Sequence, residues 1–280
     1  MGVFDGVHRG HREILKAAVD RAREIVGTSV VLTFWPHPQK EESLYSLEHR
    51  LRLISELGVD VCIVVNFTSR FAKISALDFI KDILADKISA VYVYVGKDFR
   101  FGNKARGDLA LLERSGRTYG FQAKGFNIIK IRGLAISSTL IRRLIKNAKL
   151  KEAERLLARP VSILGTVIKG TELGRILGFP TANIDPHHEV IPASGIYAVR
   201  IILGRNKFNG ICYIGKRPTI NLHRKVNVEA HIFNFHKNIY GKYLEIQFMK
   251  KIRSDKKFPS LALLAKQIKK DIITAKVILN

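Results

Sequence analysis

Two histidines stand three residues apart in the opening segment GVFDGVHRGH, which runs from Gly2 to His11. This spacing places His8 and His11 on neighbouring positions at the start of a helix, where free backbone N–H groups and the positive end of the helix dipole attract anions. Gly2, Gly6 and Gly10 allow the backbone to approach a ligand closely. The segment therefore predicts an anion site, although two surface histidines beside a glycine turn explain the isolated motif equally well.

A second glycine-rich segment, GTELGRILGFPTAN, extends from Gly170 to Asn183. Gly170, Gly174 and Gly178 permit tight backbone packing around phosphates. The hydroxyl of Thr181 and the amide oxygen of Asn183 are hard oxygen donors that suit Mg²⁺. The segment lacks the GK[ST] ending of a P-loop and the GxGxxG of dinucleotide folds, and a plain glycine-rich hairpin is the alternative.

One carboxylate, Glu229, lies in a run from Val226 to Phe235 in which apolar and polar residues alternate. Alternation with a period of two predicts a half-buried strand with Glu229 on its polar face. A carboxylate in that place can accept a proton from an attacking hydroxyl group. Taken by itself, however, Glu229 is better interpreted as a solvent-facing strand residue.

An acidic and aromatic segment, Gly96–Gly102, leaves a predicted strand at its carboxyl end, where open α/β sheets bind ligands. Asp98, Phe99 and Phe101 in this segment suit a flavin or adenine ring. An ordinary strand-to-loop turn is the alternative.

Hydroxyl and guanidinium groups gather at the start of a helix predicted for residues 138–146. Ser138, Thr139 and Arg142 can converge there with backbone N–H groups on a phosphate chain. A simple helix N-cap is the alternative.

The first half of the chain alternates helices with short apolar strands. The predicted helices cover residues 13–26, 47–57, 76–83, 138–146 and 150–157, and the predicted strands cover 29–34, 61–65 and 90–95. This alternation predicts an α/β fold with a parallel sheet covered on both faces.

The pattern changes near Pro160. Five β-type runs follow at 161–168, 195–202, 208–214, 226–235 and 243–248, and a last helix is predicted from about Ser260 to Ala275. Closely spaced strands predict an antiparallel barrel or sandwich capped by that helix. We expect two domains, 1–157 and 160–280.

The chain is strongly basic but rich enough in apolar residues to fold. Its 280 residues are 46% hydrophobic, and 48 Lys and Arg against 24 Asp and Glu give a formal net charge of +24. Polyanions attract such a surface, but the basic residues are spread in ones and twos, which favours an enzyme of phosphorylated substrates over a nucleic-acid-binding protein.

The two cysteines, Cys62 and Cys212, lie far apart and outside any metal-ligand pattern. They are predicted to be reduced core residues of a cytoplasmic protein. No apolar run reaches the length of a membrane span, and we expect neither a membrane association nor an obligate protein partner.

The motifs occur in the order of a known enzyme family. GVFDGVHRGH, TFWPHP at 33–38, GKDFRFG at 96–102 and ISSTLIR at 136–142 resemble the nucleotidylyltransferase domain of bacterial bifunctional riboflavin kinase/FAD synthetases. The segment 170–183 with its PTAN motif, IGKRPT at 214–219 and NVEAH at 227–231 resemble the riboflavin kinase domain of the same family. The resemblance covers residue 2 to about residue 275.

This resemblance implies a Rossmann-like nucleotidylyltransferase domain followed by an antiparallel β-barrel kinase domain. The kinase would make FMN from riboflavin and ATP with Mg²⁺, and the other domain would make FAD and pyrophosphate from FMN and ATP. The implied site residues are Glu229, His8, His11 and Arg142 for catalysis; Gly2, Phe4, Gly6, Gly10, Ser138, Thr139, Gly170, Gly174 and Gly178 for ATP and phosphate; Asp98, Phe99, Phe101 and Arg253 for flavin; and Thr181 and Asn183 for Mg²⁺.

The sequence departs from the family pattern at four places, one of which is Asn234, where the family more often has an acid. Family members carry most of the first sheet strand ahead of the glycine turn, and since Met1 directly precedes that turn, we expect the first strand to be truncated. Trp35 stands where the family usually has aspartate, and Tyr213 replaces the residue usually found before the Ile-Gly pair. Two alternatives remain: a riboflavin kinase with an inactive N-terminal domain, and a basic nucleic-acid-binding protein.

Overall fold

The computed structural model describes residues 1–38, 42–131, 133–170, 172–187, 189–216 and 226–280. Thr171 and residues 217–219, which belong to two of the motifs above, lie outside the described residues. The chain forms two compact units, one comprising Met1–Ser43 and Leu47–Ser138, the other Leu44–Ser46 and Thr139–Asn280.

Parallel strand pairs form the centre of the first unit. β1 pairs with β2 and β3 pairs with β4, both in parallel register, and no further strand joins the two pairs among the described residues. The predicted parallel α/β character is therefore confirmed. The strands are β1 (Val30–Trp35), β2 (Val61–Asn66), β3 (Tyr92–Gly96) and β4 (Gln122–Phe126), followed by a small hairpin of β5 (Lys130–Ile131) and β6 (Leu134–Ala135).

The first residues of the chain run between β1 and β3. The backbone N–H of Gly2 donates to the carbonyl of Leu32 at 3.1 Å, and the amino group of Met1 donates to the carbonyl of Tyr94 at 2.8 Å. These two bonds place Met1 and Gly2 beside the middle residues of β3 and β1. The hydroxyl of Thr33 donates to the carbonyl of Val3 at 2.9 Å, so the chain then runs toward the carboxyl end of β1, the end at which α/β sheets bind ligands.

The helices of the first unit pack their apolar faces on these strands. The helix predicted for 13–26 begins earlier because His8 caps it, and the helix predicted for 76–83 continues with wider π-type turns. The elements are α1 (Arg9–Glu24), α2 (Leu47–Ser55), α3 (Ala76–Asp78) with the π-helical segment Phe79–Lys87, and α4 (Leu109–Tyr119), besides short 3₁₀ turns at Phe71–Lys73 and Asn103–Ala105.

Helix α4 and strand β4 were not predicted from the sequence. Ser115 and Gly116 are poor helix formers in the middle of α4, which hides its periodicity. The structure explains Gly116, because a Cβ atom there would lie 2.3 Å from the carbonyl oxygen of Phe121. Asp108 caps the helix by accepting from the N–H of Leu111 at 2.8 Å.

A closed six-stranded antiparallel barrel forms the second unit. The strand order is β10-β11-β8-β7-β12-β9, which decides between the predicted barrel and sandwich in favour of the barrel. The elements are α5 (Ser138–Lys146), α6 (Leu150–Leu157), β7 (Val161–Ile168), α7 (Leu173–Ile176), β8 (Ala182–Asp185), β9 (Gly195–Leu203), β10 (Asn206–Lys216), β11 (Val226–Ile232), β12 (Tyr243–Arg253) and α8 (Leu261–Leu279).

Helix α8 covers the outer face of this barrel. Ala275 and Leu279 pack with Ile196, Ala198 and Ile211 in a buried apolar cluster. Helix α6 packs on β7 and β12, and α5 and α6 are grouped with the barrel in the second unit. Among the described residues, no helix combines the length and the apolar character that a membrane span requires.

A buried carboxylate fixes the Leu44–Ser46 segment within the second unit. Glu189 is 2% exposed and accepts hydrogen bonds from the backbone N–H groups of Ser46 at 2.9 Å and Leu164 at 3.0 Å. A buried acceptor that serves two backbone donors is costly to replace, because each donor left unpaired loses its hydration without compensation.

We therefore expect Glu189→Gln to destabilise the second unit by about 2 kcal/mol, since the amide NH₂ group meets one of the two N–H donors. Urea unfolding should show the loss, and hydrogen exchange should become faster in residues 161–168. The matched variant Glu152→Gln, at an exposed position of α6, should change stability by less than about 0.5 kcal/mol. Equal behaviour of the two variants would contradict this role.

Candidate active sites

A cavity of about 570 Å³ opens between the barrel, the glycine-rich segment and the start of α8. Its volume is typical of a small-molecule site. Apolar side chains such as Leu177, Phe179 and Ile211 line it together with the charged groups of Glu229 and Arg253. A mainly apolar wall with a few charged groups suits a ligand that has both a ring system and a polar chain.

Glu229 lines this cavity because of its place in the barrel. β11 runs between β10 and β8, so Glu229 pairs with Tyr213 on one side and with Asn183 on the other. Its carboxylate accepts from the hydroxyl of Thr181 at 3.1 Å and from the side-chain amide of Asn227 at 2.6 Å. The structure thus brings Glu229 and Thr181 into direct contact, with Asn183 on the adjoining strand.

Asn183 presents an oxygen that suits a cation. The side chain is 6% exposed, and among the described residues its Oδ1 atom has no hydrogen-bond partner. An unpartnered buried acceptor is costly unless a donor or a cation completes it. With the hydroxyl of Thr181 nearby, the residues fit Mg²⁺, which prefers hard oxygen ligands.

Two of the three predicted glycines in this segment allow the backbone to pack closely on the side chains of Asn183 and Thr181. A Cβ atom at Gly170 would lie 1.9 Å from Nδ2 of Asn183, and one at Gly174 would lie 3.0 Å from Oγ1 of Thr181. Gly178 has a different reason: its φ of +82° is left-handed, and a Cβ atom there would meet open space. Within this segment, Leu173–Ile176 form one helical turn, α7, and Ala182 and Asn183 begin β8.

Arg253 reaches the cavity from the end of β12 and is held there by a buried carboxylate. Its guanidinium donates to both oxygens of Asp271 at 2.8–3.0 Å, and Asp271 is 2% exposed. The guanidinium also lies 5.6 Å from the centre of the Phe258 ring. This fork geometry fixes the orientation of the cation at the cavity wall.

Several residues beside Glu229 were not predicted from the sequence as site residues, of which Tyr213, His231 and Asp255 line the cavity. Asn227 and His231 lie two residues before and after Glu229 on the same strand, and the period of two could have found both. His231 contacts the carbonyl of Pro180 through Nδ1 at 2.8 Å. Tyr213 donates to Asp255 at 3.1 Å, and burial, together with that carboxylate, raises the pKa of Tyr213 to about 12.

The histidine pair of the first unit lies at the N-terminus of α1, as predicted. His8 is the N-cap, and its Nδ1 atom accepts from the backbone N–H of His11 at 3.4 Å. The two rings stack with their centres 3.6 Å apart. The imidazole of His8 is therefore buried as the helix cap. The imidazole of His11 is partly exposed beside the helix N-terminus, where anions bind.

The turn before this helix is unusually strained. Gly6 has a φ of +84°, but Phe4 and Val7 also have positive φ, at +52° and +37°. Left-handed backbone costs about 1 kcal/mol or more for a residue with a side chain and persists only where the surroundings enforce it. The buried ring of Phe4 meets His11 edge to face at 5.3 Å, so its side chain supports the histidine pair.

The buried side chain of Arg50 donates a hydrogen bond to the same turn. Arg50 is 0% exposed and donates to the carbonyls of Val3 at 3.0 Å and Phe34 at 3.3 Å. Its guanidinium lies 3.9 Å from the carboxylate of Asp5 and 5.4 Å from the centre of the Trp35 ring. Burial lowers the pKa of Arg50, and the nearby Asp5 opposes that shift.

The three predicted phosphate ligands in α5 are Ser138, Thr139 and Arg142. The hydroxyl of Ser138 donates to the carbonyl of Asp5 at 2.8 Å, which connects the start of α5 to the glycine turn. Thr139 and Arg142 follow in α5 and belong to the second unit.

Of the predicted flavin contacts, Asp98 is exposed and Phe99 is half-buried. Phe101 is 7% exposed and packs against Phe79 in the core, so its ring is in contact with the interior of the unit. Phe99 stacks on Phe101 with the ring centres 5.7 Å apart.

Comparison with known proteins identifies relatives along the whole chain. The family model for FAD synthetase matches residues 1–140, and the family model for riboflavin kinase matches residues 157–279. A bifunctional riboflavin kinase/FMN adenylyltransferase from Haemophilus influenzae is 39% identical over 288 residues, which cover 100% of this chain and 93% of the relative. The protein of that name from Escherichia coli K12 is 38% identical and covers 99% of this chain and 90% of the relative.

A solved structure is similar over nearly the same length. The crystal structure titled macrolide-efflux protein from Streptococcus pneumoniae superposes with a TM-score of 0.85 at 29% identity, covering 99% of this chain and 92% of that one.

Substitution by alanine should have different effects at Gly170, which packs on Asn183, and at Gly178, which has a left-handed backbone. We expect Gly170→Ala to lower stability by about 1–3 kcal/mol and to displace Asn183, because the new methyl group overlaps its amide. Gly178→Ala should cost about 1 kcal/mol through backbone strain and should leave Asn183 in place. NMR of the side-chain amide of Asn183 separates the two, and an unmoved signal in Gly170→Ala would refute the packing argument.

Proposed function

This chain belongs to the bifunctional riboflavin kinase/FMN adenylyltransferase family, and we propose that its two sites carry out the two reactions of flavin cofactor synthesis in series. Riboflavin and ATP would give FMN and ADP, and FMN and a second ATP would give FAD and pyrophosphate. The observation that carries the kinase assignment is the contact of Glu229 with Thr181, beside Asn183, on the wall of the 570 Å³ cavity.

In the kinase reaction, Glu229 is the general base. The 5′-hydroxyl oxygen of riboflavin attacks the γ-phosphorus of ATP, its proton passes to the carboxylate of Glu229, and the bond from the γ-phosphorus to the β,γ-bridging oxygen breaks to release ADP. The carboxylate is half-buried and held by two donors, so it needs little reorganisation before it accepts the proton.

Thr181 and Asn183 would hold Mg²⁺ beside this carboxylate. The unpartnered Oδ1 atom of Asn183 supports this assignment. The cation would neutralise charge on the phosphates of ATP. Gly170 and Gly174 act by leaving room next to these ligands, and Gly178 provides the turn that returns the chain to β8.

Arg253 is proposed to contact the flavin end of the substrate. Its guanidinium is planar, fixed by Asp271, and lines the same cavity as Glu229. A fixed guanidinium can stack on an aromatic ring or donate to its carbonyl groups without losing further side-chain entropy.

The adenylyltransferase reaction is assigned to the glycine turn and the start of α1. A phosphate oxygen of FMN attacks the α-phosphorus of ATP, and pyrophosphate leaves. His11, beside the N-cap residue His8, and the positive end of the α1 helix dipole would bind the phosphate oxygens. Gly2, Gly6 and Gly10 with Phe4 would shape the ATP site together with Ser138, and Asp98, Phe99 and Phe101 would bind flavin. Thr139 and Arg142 remain predicted phosphate ligands.

Three further statements remain predictions. The domain limits 1–157 and 160–280 rest on the change of sequence pattern near Pro160, and the cytoplasmic location rests on two separate free thiols, Cys62 and Cys212. The alternative of a nucleic-acid-binding protein rests on the net charge of +24 alone.

Glu229→Gln should separate the two activities. We expect turnover of riboflavin to fall by about 100-fold or more, because the amide cannot accept the proton. Conversion of added FMN to FAD should stay within about twofold of the unsubstituted chain. Chromatography of riboflavin, FMN and FAD over time measures both steps, with Glu152→Gln as the matched control. Normal FMN formation by Glu229→Gln would exclude Glu229 as the base.

His11→Gln should give the converse result. Loss of the imidazole beside the helix N-terminus should slow FAD formation by about 100-fold, so that FMN accumulates from riboflavin at the normal rate. His236→Gln, an exposed histidine of the barrel unit, should leave both steps unchanged. If His11→Gln slowed both steps equally, the effect would be on folding and the assignment would fail.

A further inference from the structure

We propose that Asn227 is a positioning residue of the kinase site, which orients the carboxylate of Glu229 toward the cavity. The inference rests on the proposed function of Glu229 as the general base. Asn227 would not touch the substrate and would act entirely through that carboxylate.

The contact itself is short and direct. The side-chain amide of Asn227 donates to Oε1 of Glu229 at 2.6 Å. A hydrogen bond from an amide to a carboxylate is charge-assisted and stronger than one between neutral groups. Because the two residues are two positions apart on β11, they lie on the same face of the strand, and the buried Val228 between them faces the other way.

The second donor to Glu229 is Thr181, which has a further proposed role. Thr181 donates to Oε2 at 3.1 Å and is also a proposed ligand of Mg²⁺. Among the described residues, the bond to Glu229 is the one hydrogen bond made by the side chain of Asn227. Asn227 is therefore the donor dedicated to the carboxylate. With each oxygen held by one donor, the plane of the carboxylate is fixed, and the remaining lone pairs are available to the hydroxyl group of the substrate.

The neighbouring strand confines Asn227. Its partner in register on β10 is Gly215, and a Cβ atom at Gly215 would lie 2.0 Å from the hydroxyl oxygen of Tyr213. The Tyr213 side chain therefore occupies the space beside Asn227 that a larger residue at position 215 would fill. Tyr213 is also the register partner of Glu229, so Asn227 and Glu229 share the same aromatic neighbour across the strand pair.

The test is steady-state kinetics of the full chain with Asn227→Leu, which keeps the side-chain size and removes the donor. We expect kcat for FMN formation to fall about 10- to 100-fold, because misplacing a catalytic group by about 1 Å can cost about 100-fold in rate. The KM values for riboflavin and ATP should stay within about twofold, and FAD formation from added FMN should be unchanged. Asn227→Gln, which keeps an amide donor, should recover most of kcat.

Three comparisons decide the result. Asn209→Leu replaces an exposed asparagine of β10 and should leave kcat unchanged. In the Glu229→Gln background, Asn227→Leu should produce no further loss, because a positioning residue acts only through the group that it positions. An unchanged kcat in Asn227→Leu, or an equal additional loss in the Glu229→Gln background, would overturn the positioning role. Full activity of Glu229→Gln itself would instead refute the proposed base.

Discussion

The short pairing of β8 with β11 is the contact on which the kinase site depends. In the part of the chain that the structure describes, two residue pairs join these strands, Asn183 with Glu229 and Ala182 with Ala230. This register places the candidate metal ligand and the candidate base side by side, although they are 46 positions apart in the chain. The closed barrel makes the pairing stable, because β8 is held on its other side by β7 and has no free edge.

Glycine makes the close approach at this junction possible. A Cβ atom at Gly165 in β7 would lie 2.4 Å from the carbonyl oxygen of Asp185 in β8, and one at Gly170 would overlap the amide of Asn183. Side chains at these positions would force β8 away from β7 and move Asn183 relative to Glu229. The glycines of the second motif therefore act partly through the packing of protein groups on one another, in addition to the contact with phosphates that sequence reasoning assigned to them.

In the first unit, the corresponding constraint is a strained turn that surrounding contacts hold in place. Left-handed backbone at Phe4 and Val7 is offset by a buried ring, by the bonds of Arg50 to Val3 and Phe34, and by the bond of Ser138 to Asp5. Burying a guanidinium is costly unless carbonyl and carboxylate groups compensate it. A turn held in this manner presents the N-terminus of α1 in one conformation, which is the requirement for a preorganised anion site.

Sequence by itself determined the two kinds of fold, most element positions and the motifs of both sites, because these depend on local periodicity and on neighbouring residues in the chain. Helices 138–146 and 150–157 and strand 161–168 were predicted to the residue. Only the tertiary structure placed Asn183 beside Glu229, assigned Asn227 and Thr181 to the carboxylate, and showed Arg50 beneath the glycine turn. Strand β8 was missed because it is four residues long and follows a proline, so its formation depends on pairing with distant strands and not on its own propensity.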